Sequence, residues 1–448
     1  MSYFNKVLIA NRGEIARRVI RTCRQLGIQT VAVYSEADAQ APFVSEASEA
    51  VCIGPAQAKK SYLDIEKVIQ AAKQTTADAI HPGYGFLSEN PLFAKRCKEE
   101  NIVFIGPEAD VMETMGSKVE ARAHMQKAGV PVVPGSSGKI ESLEEALAIA
   151  DNLGYPLMLK ASAGGGGIGM QLAHNQEELE KAFHSTIPKA ESFFNDGTVF
   201  LEKWIADPRH IEVQIAADRH GNVVHLYERE CSVQRRNQKV VEESPSPFLD
   251  ASLRNQLLEA AVRGVKEIGY TNVGTMEFIF DSDRNFYFLE MNTRLQVEHP
   301  VTEEITGIDL VEWQLRIAAG QELPLQQEQI NKAGHAIECR LYAEDPKTFF
   351  PSPGTVEQLK LPDKDIRLDF SIVEGSIVSP FYDPMIGKLI VHGANRVEAI
   401  EKMRQALAQV EIHGLKTNLA LLASIMENEQ FESGDYTTQF LEKKEILS

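Results

Sequence analysis

MEFIFDSDRNFYFLEMNTRLQVEH, residues 276–299, reads as two β-strands around a polar turn. Asp281-Ser282-Asp283-Arg284-Asn285 supplies the turn chemistry, and aromatic and β-branched residues flank it. If Asp281 pairs with Phe286 across a four-residue loop, Glu277 and Glu290 fall opposite each other on one face. A slip of one residue would send them to opposite faces. Beyond Glu290, the polar residues Asn292, Arg294, Gln296 and Glu298 recur at every second position. A chain that stays extended would then carry one wholly polar face. Facing glutamates repel, and a divalent cation turns that repulsion into binding. Two carboxylates and an amide are hard oxygen ligands suited to Mg²⁺ or Mn²⁺, especially beside phosphates. The same pattern also fits the solvated face of an edge strand.

At 448 residues the chain is too long for one core, so two to three domains are expected. A net charge of −18 speaks against general nucleic-acid or anionic-membrane binding. No apolar run reaches membrane-spanning length. The five cysteines, Cys23, Cys52, Cys97, Cys231 and Cys339, never form a CxxC pair, which favours a reducing cytoplasm and no zinc site.

From the N-terminus, strand 6–10, helix 15–26 and strand 30–34 form a βαβ unit. Helix 63–74, strand 77–81, helix 91–100 and strand 102–106 extend it into a doubly wound first domain. The loop HPGYGFLSEN, residues 81–90, follows a strand end, where ligands of such sheets bind, so Tyr84 is a candidate. A plain Gly/Pro loop fits it too. Gly116-Ser117-Lys118 opens a helix that breaks near Pro134, marking a domain junction.

Strand 155–161 ends in Lys160 and is followed by Ala163-Gly164-Gly165-Gly166-Gly167-Ile168-Gly169. Successive glycines can turn their N–H groups inward around a phosphate. The next segment reads as a strand, so a dinucleotide fingerprint, which needs a helix there, fails. A dehydrogenase is thereby excluded, whereas a plain flexible linker is not. Residues 198–205 form a strand bearing Glu202 and Lys203, and residues 209–215 place His210, Glu212 and Gln214 on one face. Arg235, Arg236 and Lys239 form either an anion site or a solvated loop. Strand 335–345 carries Glu338 and Arg340 on one face, and Arg340 is either an oxyanion clamp or a surface charge.

Taken together, these motifs resemble biotin carboxylase, of the ATP-grasp superfamily. The likeness rests on IANRGEIA, HPGYGFLSEN, KASAGGGGIGM, RHIEVQ, ECSVQRRNQKVVEE, FLEMNTRLQVEHPVTE, ECRLYAED and FYDPMIGKL, in that order. It implies an α/β and α+β architecture. A Rossmann-like N-terminal domain would span 1–115, with connecting helices at 116–133 and an ATP-grasp lid at 134–204. An ATP-grasp body with the metal site would span 205–330, followed by a C-terminal mixed α+β domain at 331–448.

The resemblance also implies roles. Lys118 and Lys160 would bind ATP phosphates, and Gly166 and Gly167 would belong to a mobile lid. Glu202, Lys203, Trp204 and Ile205 would receive the adenine, with His210, Gln234 and Asn237 also at the nucleotide. Glu277, Glu290 and Asn292 would hold two Mg²⁺ or Mn²⁺ ions. Lys239, Arg294, Gln296 and the Val297 backbone would bind bicarbonate, and Glu298 would deprotonate it. Arg340, with Tyr84 nearby, would bind biotin and stabilise its enolate.

The implied reaction is ATP- and bicarbonate-dependent carboxylation of biotin, the first half-reaction of an acetyl-CoA or other acyl-CoA carboxylase. A separate biotin carboxyl carrier protein and a carboxyltransferase subunit would be partners, and the enzyme a cytoplasmic homodimer. The chain lacks the Met-Lys-Met of a biotin attachment site, so a stand-alone subunit is expected. Two positions depart from the family pattern: Ile168 replaces Lys or Arg in the lid, and Asn237 replaces a frequent His. Another ATP-grasp ligase with a different acceptor, and a non-catalytic nucleotide-binding scaffold, are the alternatives to test.

Overall fold

The computed structural model describes residues 3–136, 138–162, 169–194 and 196–442. The first sheet is parallel, with strand order β3-β2-β1-β4-β5. Its strands are β1 (Lys6–Ile9), β2 (Gln29–Ser35), β3 (Glu49–Gly54), β4 (Ala79–His81) and β5 (Val103–Phe104). This is the doubly wound arrangement expected from the alternating apolar strands and helices. The sequence reading omits β3, although Ala50-Val-Cys-Ile53 is an apolar run; in the structure it is a half-exposed edge strand.

A three-stranded antiparallel unit follows, ordered β7-β6-β8, from β6 (Leu157–Ala161), β7 (Met170–Ala173) and β8 (Val199–Lys203). Lys160 pairs with Met170 in the β6–β7 ladder; Gly166, Gly167 and Ile168 lie outside the described residues.

The remainder centres on one eight-stranded sheet, ordered β13-β12-β9-β10-β11-β14-β16-β15. Its members are β9 (Arg209–Ala217), β10 (Val223–Arg235), β11 (Gln238–Ser244), β12 (Asn272–Phe280), β13 (Phe286–Asn292), β14 (His335–Tyr342), β15 (Arg367–Phe370) and β16 (Met385–Gly393). β11 pairs antiparallel with β14, so the sheet runs unbroken past residue 331. β9 is buried along its whole length, and two separate apolar cores hold the sheet's two ends. No helix among the described residues is long and apolar enough to cross a membrane.

The hairpin of the opening stretch shows a compensated error. Asp281 does not pair with Phe286; Phe280 does, across a five-residue turn. Asp281 organises that turn by accepting from the amides of Asp283 and Asn285. A bulge then inserts Leu289, which shifts the ladder back so that Glu277 faces Glu290. The extended chain also stops sooner than its alternation suggests. β13 ends at Asn292, and residues 293–298 loop into the helix His299–Thr306. The solvated-loop reading of 231–239 fails as well. β10 runs through to Arg235 and turns over Arg236 and Asn237, both at left-handed φ, into β11.

Candidate functional site

β12 and β13 present Glu277 and Glu290 side by side. Glu277 Oε1 accepts from Lys239 Nζ (2.9 Å), Asn292 Nδ2 (2.9 Å) and Gln296 Nε2 (2.8 Å). Its Oε2 lies 2.8 Å from His210 Nε2. Burial alone would raise Glu277, but Lys239 and His210 outweigh it and hold the carboxyl well below the usual range. Glu290 differs: burial and the neighbouring Glu277 charge both raise it, and among the described residues nothing donates to it. An under-coordinated carboxylate beside an ionised one, with an amide at 292, fits a hard divalent cation. Asn292 Oδ1 is engaged by Arg294 Nη2 at 2.7 Å, so a cation taking that oxygen displaces a guanidinium.

Lys239 is the hub. Its Nζ lies 2.6 Å from Glu212 Oε2, 2.9 Å from Glu277 Oε1 and 2.7 Å from Glu298 Oε1. Burial disfavours the ammonium, but the three carboxylates raise it well above its ordinary value. Glu298 is fully buried, which would raise its carboxyl; Lys239, Arg340 and Arg229 together hold it far below instead. Glu298 Oε2 accepts from Arg340 Nη2 at 2.9 Å. The surface-charge reading of Arg340 therefore falls, since its side chain is buried between carboxylates.

The nucleotide candidates gather on the neighbouring elements. Ser117 caps the helix Lys118–Lys127, and Lys118 is close enough to Glu290, Lys160 and Glu202 to feel all three charges. Burial lowers its ammonium. Glu202 is clamped by Lys160 Nζ (2.5 Å) and Arg122 Nη1 (3.1 Å). Lys203 Nζ donates to the carbonyls of Gly154 and Tyr155, while its backbone N–H donates to Pro134. Trp204 N donates to Pro156 O, and Ile205 follows, half-buried. Gln234 Nε2 lies 2.9 Å from His210 Nδ1, tying that ring to β10. Arg235 is no anion site, because Glu344 takes its guanidinium with both oxygens. Asn237 is exposed at the tip of the turn.

At the opposite end the first domain closes in. Asn11 Nδ2 donates to the carbonyls of Pro82 and Tyr84, and Gly83 sits at φ +63 so close to Asn11 that a Cβ would reach 2.8 Å from Nδ2. Tyr84 Oη donates to Glu14. The fully buried Lys388 lies 3.2 Å from Glu14 Oε1 and donates to Val297 O at 2.8 Å. Glu89, from the same loop as Tyr84, accepts from Thr293 N (3.0 Å) and Arg294 Nε (2.8 Å). Arg294 Nη1 reaches Gln296 Oε1 at 2.9 Å.

Lys239, Glu277, Asn292, Arg294, Gln296, Glu298 and Arg340 thus form one linked network. Sequence reasoning did not single out Glu212, Glu242, Arg229, Glu89 or Lys388 as part of it. Glu212 left a signal, sharing a strand face with His210. Glu89 and Lys388 lie inside the motifs HPGYGFLSEN and FYDPMIGKL, but nothing along the chain says that they meet this site, because they arrive from distant elements.

Lysines on and beside a three-stranded antiparallel unit, antiparallel strands bearing paired carboxylates, and a basic residue bridging them define an enzyme of the ATP-grasp class. The family model described as the ATP-binding domain of the carbamoyl-phosphate synthase L chain matches residues 117–326. The models for the biotin carboxylase N-terminal and C-terminal domains match 3–112 and 338–443. The chain belongs to the biotin carboxylase family, and its reaction is the ATP-dependent carboxylation of biotin, a ligase chemistry using bicarbonate and Mg²⁺.

It is 60% identical over 441 residues to biotin carboxylase 2 of Bacillus subtilis, covering 98% of this chain and 99% of that one. The biotin carboxylase–β,γ-ATP complex of Campylobacter jejuni superposes with a TM-score of 0.95 at 47% identity, covering 98% and 99% of the two chains. The biotin carboxylase domain dimer of Hydrogenobacter thermophilus 2-oxoglutarate carboxylase, solved with MgADP, ADP and bicarbonate, gives 0.94 at 49% identity and 99% coverage of both.

Proposed function

We propose that Glu298 is the general base for bicarbonate and that the network around it divides the reaction into two ends. The carrying observation is that Glu298 is shared between Lys239 and Arg340, with one carboxylate oxygen on each. Bicarbonate entering beside Lys239, Arg294, Gln296 and the Val297 backbone brings its own negative charge. It competes with Glu298 for Lys239, which weakens the ion pair and makes the carboxylate a stronger base. The same cations acidify bicarbonate, so its proton passes to a Glu298 oxygen at little cost.

Glu277, Glu290 and Asn292 would hold the divalent ions, which when bound would offset the repulsion between the deprotonated bicarbonate, a carbonate dianion, and the γ-phosphoryl group. Lys118 and Lys160 take the phosphates, and Glu202, Lys203, Trp204, Ile205, His210, Gln234 and Asn237 the nucleoside. Gly166 and Gly167, outside the described residues, would belong to the lid that excludes water from carboxyphosphate. Arg340, with Tyr84 in the adjoining loop, receives biotin and stabilises the charge on its ureido oxygen.

The division at 1–115, 116–133, 134–204, 205–330 and 331–448 is part of this reading; the spans of the three family models support its outer boundaries near 115 and 331. So is the setting: a cytoplasmic homodimer that serves a biotinylated carrier protein and a carboxyltransferase, in acyl-CoA carboxylation.

The test uses the whole chain with ATP, Mg²⁺, bicarbonate and free biotin. Wild-type protein cleaves ATP in a bicarbonate-dependent manner, faster with biotin, and yields carboxybiotin. E298Q loses both rates. Metal-loaded, nucleotide-binding protein that never carboxylates biotin would sink this reading in favour of another ATP-grasp ligase.

A further inference from the structure

Arg340 has a second carboxylate partner that the bicarbonate step does not use. Its Nη2 lies 2.9 Å from Glu298 Oε2 and 2.5 Å from Glu242 Oε1. Glu242 stands on β11 directly opposite Glu338 of β14, and both are fully buried. None of their four carboxylate oxygens has a hydrogen-bond partner of good geometry among the described residues, so the Glu242–Arg340 contact is an ion pair. Arg340 is the only cation paired with Glu242 among the described residues; Lys239 reaches Glu212, Glu277 and Glu298 instead. A buried carboxylate with so few donors is expensive, so a stabilising role alone does not account for it.

We propose that Glu242 is a positioning residue for the biotin half of the reaction, holding Arg340 in place while Glu298 is neutralised by bicarbonate's proton. This deepens the reading of Glu298 as base and Arg340 as biotin clamp, and rests on it. Protonation removes the charge from one of Arg340's two partners, and the remaining contact weakens to that of a neutral group. Glu242 is then the anion left on the guanidinium. It projects from a central strand of the large sheet, so its position does not depend on substrate. Burial pushes Glu242 up to about 7, and the Arg340 charge is the largest influence keeping it ionised, so the two groups depend on each other. A guanidinium fixed before charge develops on the ureido oxygen spares the reorganisation that a free one would need.

The experiment measures bicarbonate-dependent ATP cleavage by the full chain, with and without free biotin, and takes the ratio of the two rates. E242Q is expected to lower that ratio at least tenfold. E338Q, equally buried but outside the Arg340 ion pairs, moves it less than threefold. A normal ratio in E242Q alongside a collapsed ratio in R340Q overturns the role of Glu242 and leaves the Arg340 reading standing. A normal ratio in R340Q overturns both. Equal losses in E242Q and E338Q also overturn the proposal, by showing a general packing defect. Should E242Q not fold, E242D decides: it keeps the charge but withdraws it from Arg340, and an unchanged KM for biotin counts against the idea.

Discussion

Lys239 Nζ lies 2.7 Å from Glu298 Oε1, and the same ammonium touches Glu277 and Glu212. One cation therefore joins the proposed base to the proposed metal ligand. Its removal leaves buried carboxylates uncompensated, at a cost of about 3–5 kcal/mol for a broken buried pair. K239Q is expected to melt well below wild type and to lose bicarbonate-dependent ATP cleavage. Added Mg²⁺ recovers part of its stability, because the metal supplies positive charge beside Glu277. Differential scanning calorimetry with and without Mg²⁺ reads this directly, and a melting temperature equal to wild type would refute it.

E298Q separates chemistry from binding. Glutamine preserves the shape and can still meet Arg340 through its oxygen, but cannot accept a proton. Turnover is expected to fall roughly 10²–10⁴-fold, the span of a general base. ATP affinity, measured by nucleotide fluorescence, stays within about threefold of wild type under the same argument, because Glu298 belongs to the proposed bicarbonate end.

Glu290 gives the opposite pattern. No donor among the described residues satisfies it, and Glu277 faces it across the hairpin. In chelator, E290Q relieves that repulsion, a gain of roughly 0.2–1 kcal/mol. With Mg²⁺ and ATP present, wild type gains more stability than E290Q, and the Mg²⁺ concentration for half-maximal activity rises at least about tenfold in the variant. Equal Mg²⁺ responses would remove Glu290 from the metal site.

Glu243 sets a pH response away from the site. Burial would raise it, but His335 and Arg396 pull it down to about 2 from an ordinary 4.5. Its folded value is the lower one, so its contribution is complete above about pH 4.5 and fades as pH falls toward 2. The group is almost wholly buried, and the shift corresponds to roughly 3 kcal/mol. Denaturant titrations from pH 6 down to 3 are expected to show a shallower acid decline for E243Q than for wild type; parallel curves would rule this out.

The two departures in the nucleotide region make a paired test. Asn237 stands at φ +63 in a tight turn, a conformation asparagine tolerates well. N237H is expected to cost stability, within about 1–2 kcal/mol, while lowering the KM for ATP. I168R places a cation in the proposed lid and is expected to lower that KM too. An ATP KM unchanged in both variants would mean that neither departure weakens nucleotide binding.

Much of this was legible along the chain. Alternating apolar strands and helices foretold the parallel first sheet, and the lack of a helix after the glycines excluded a dinucleotide fold. The pairing of Glu277 with Glu290 was read correctly through an incorrect turn, since two offsets cancelled at Leu289. A bulge has no signature in a period-two pattern, so only the hydrogen-bonded ladder reveals it.

By itself, the order of residues determined the strands, the turn chemistry and the acidic and basic groups available to the site. Tertiary structure decided which of them meet. Glu242 reaches Arg340 because β11 pairs with β14, and Glu89 reaches Arg294 from a loop of another sheet. Neighbouring strands are chosen by burial and hydrogen bonding summed over the whole sheet, quantities that no local stretch of sequence contains. The three carboxylates on Lys239 persist for the same reason: the surrounding fold holds them together against their own repulsion.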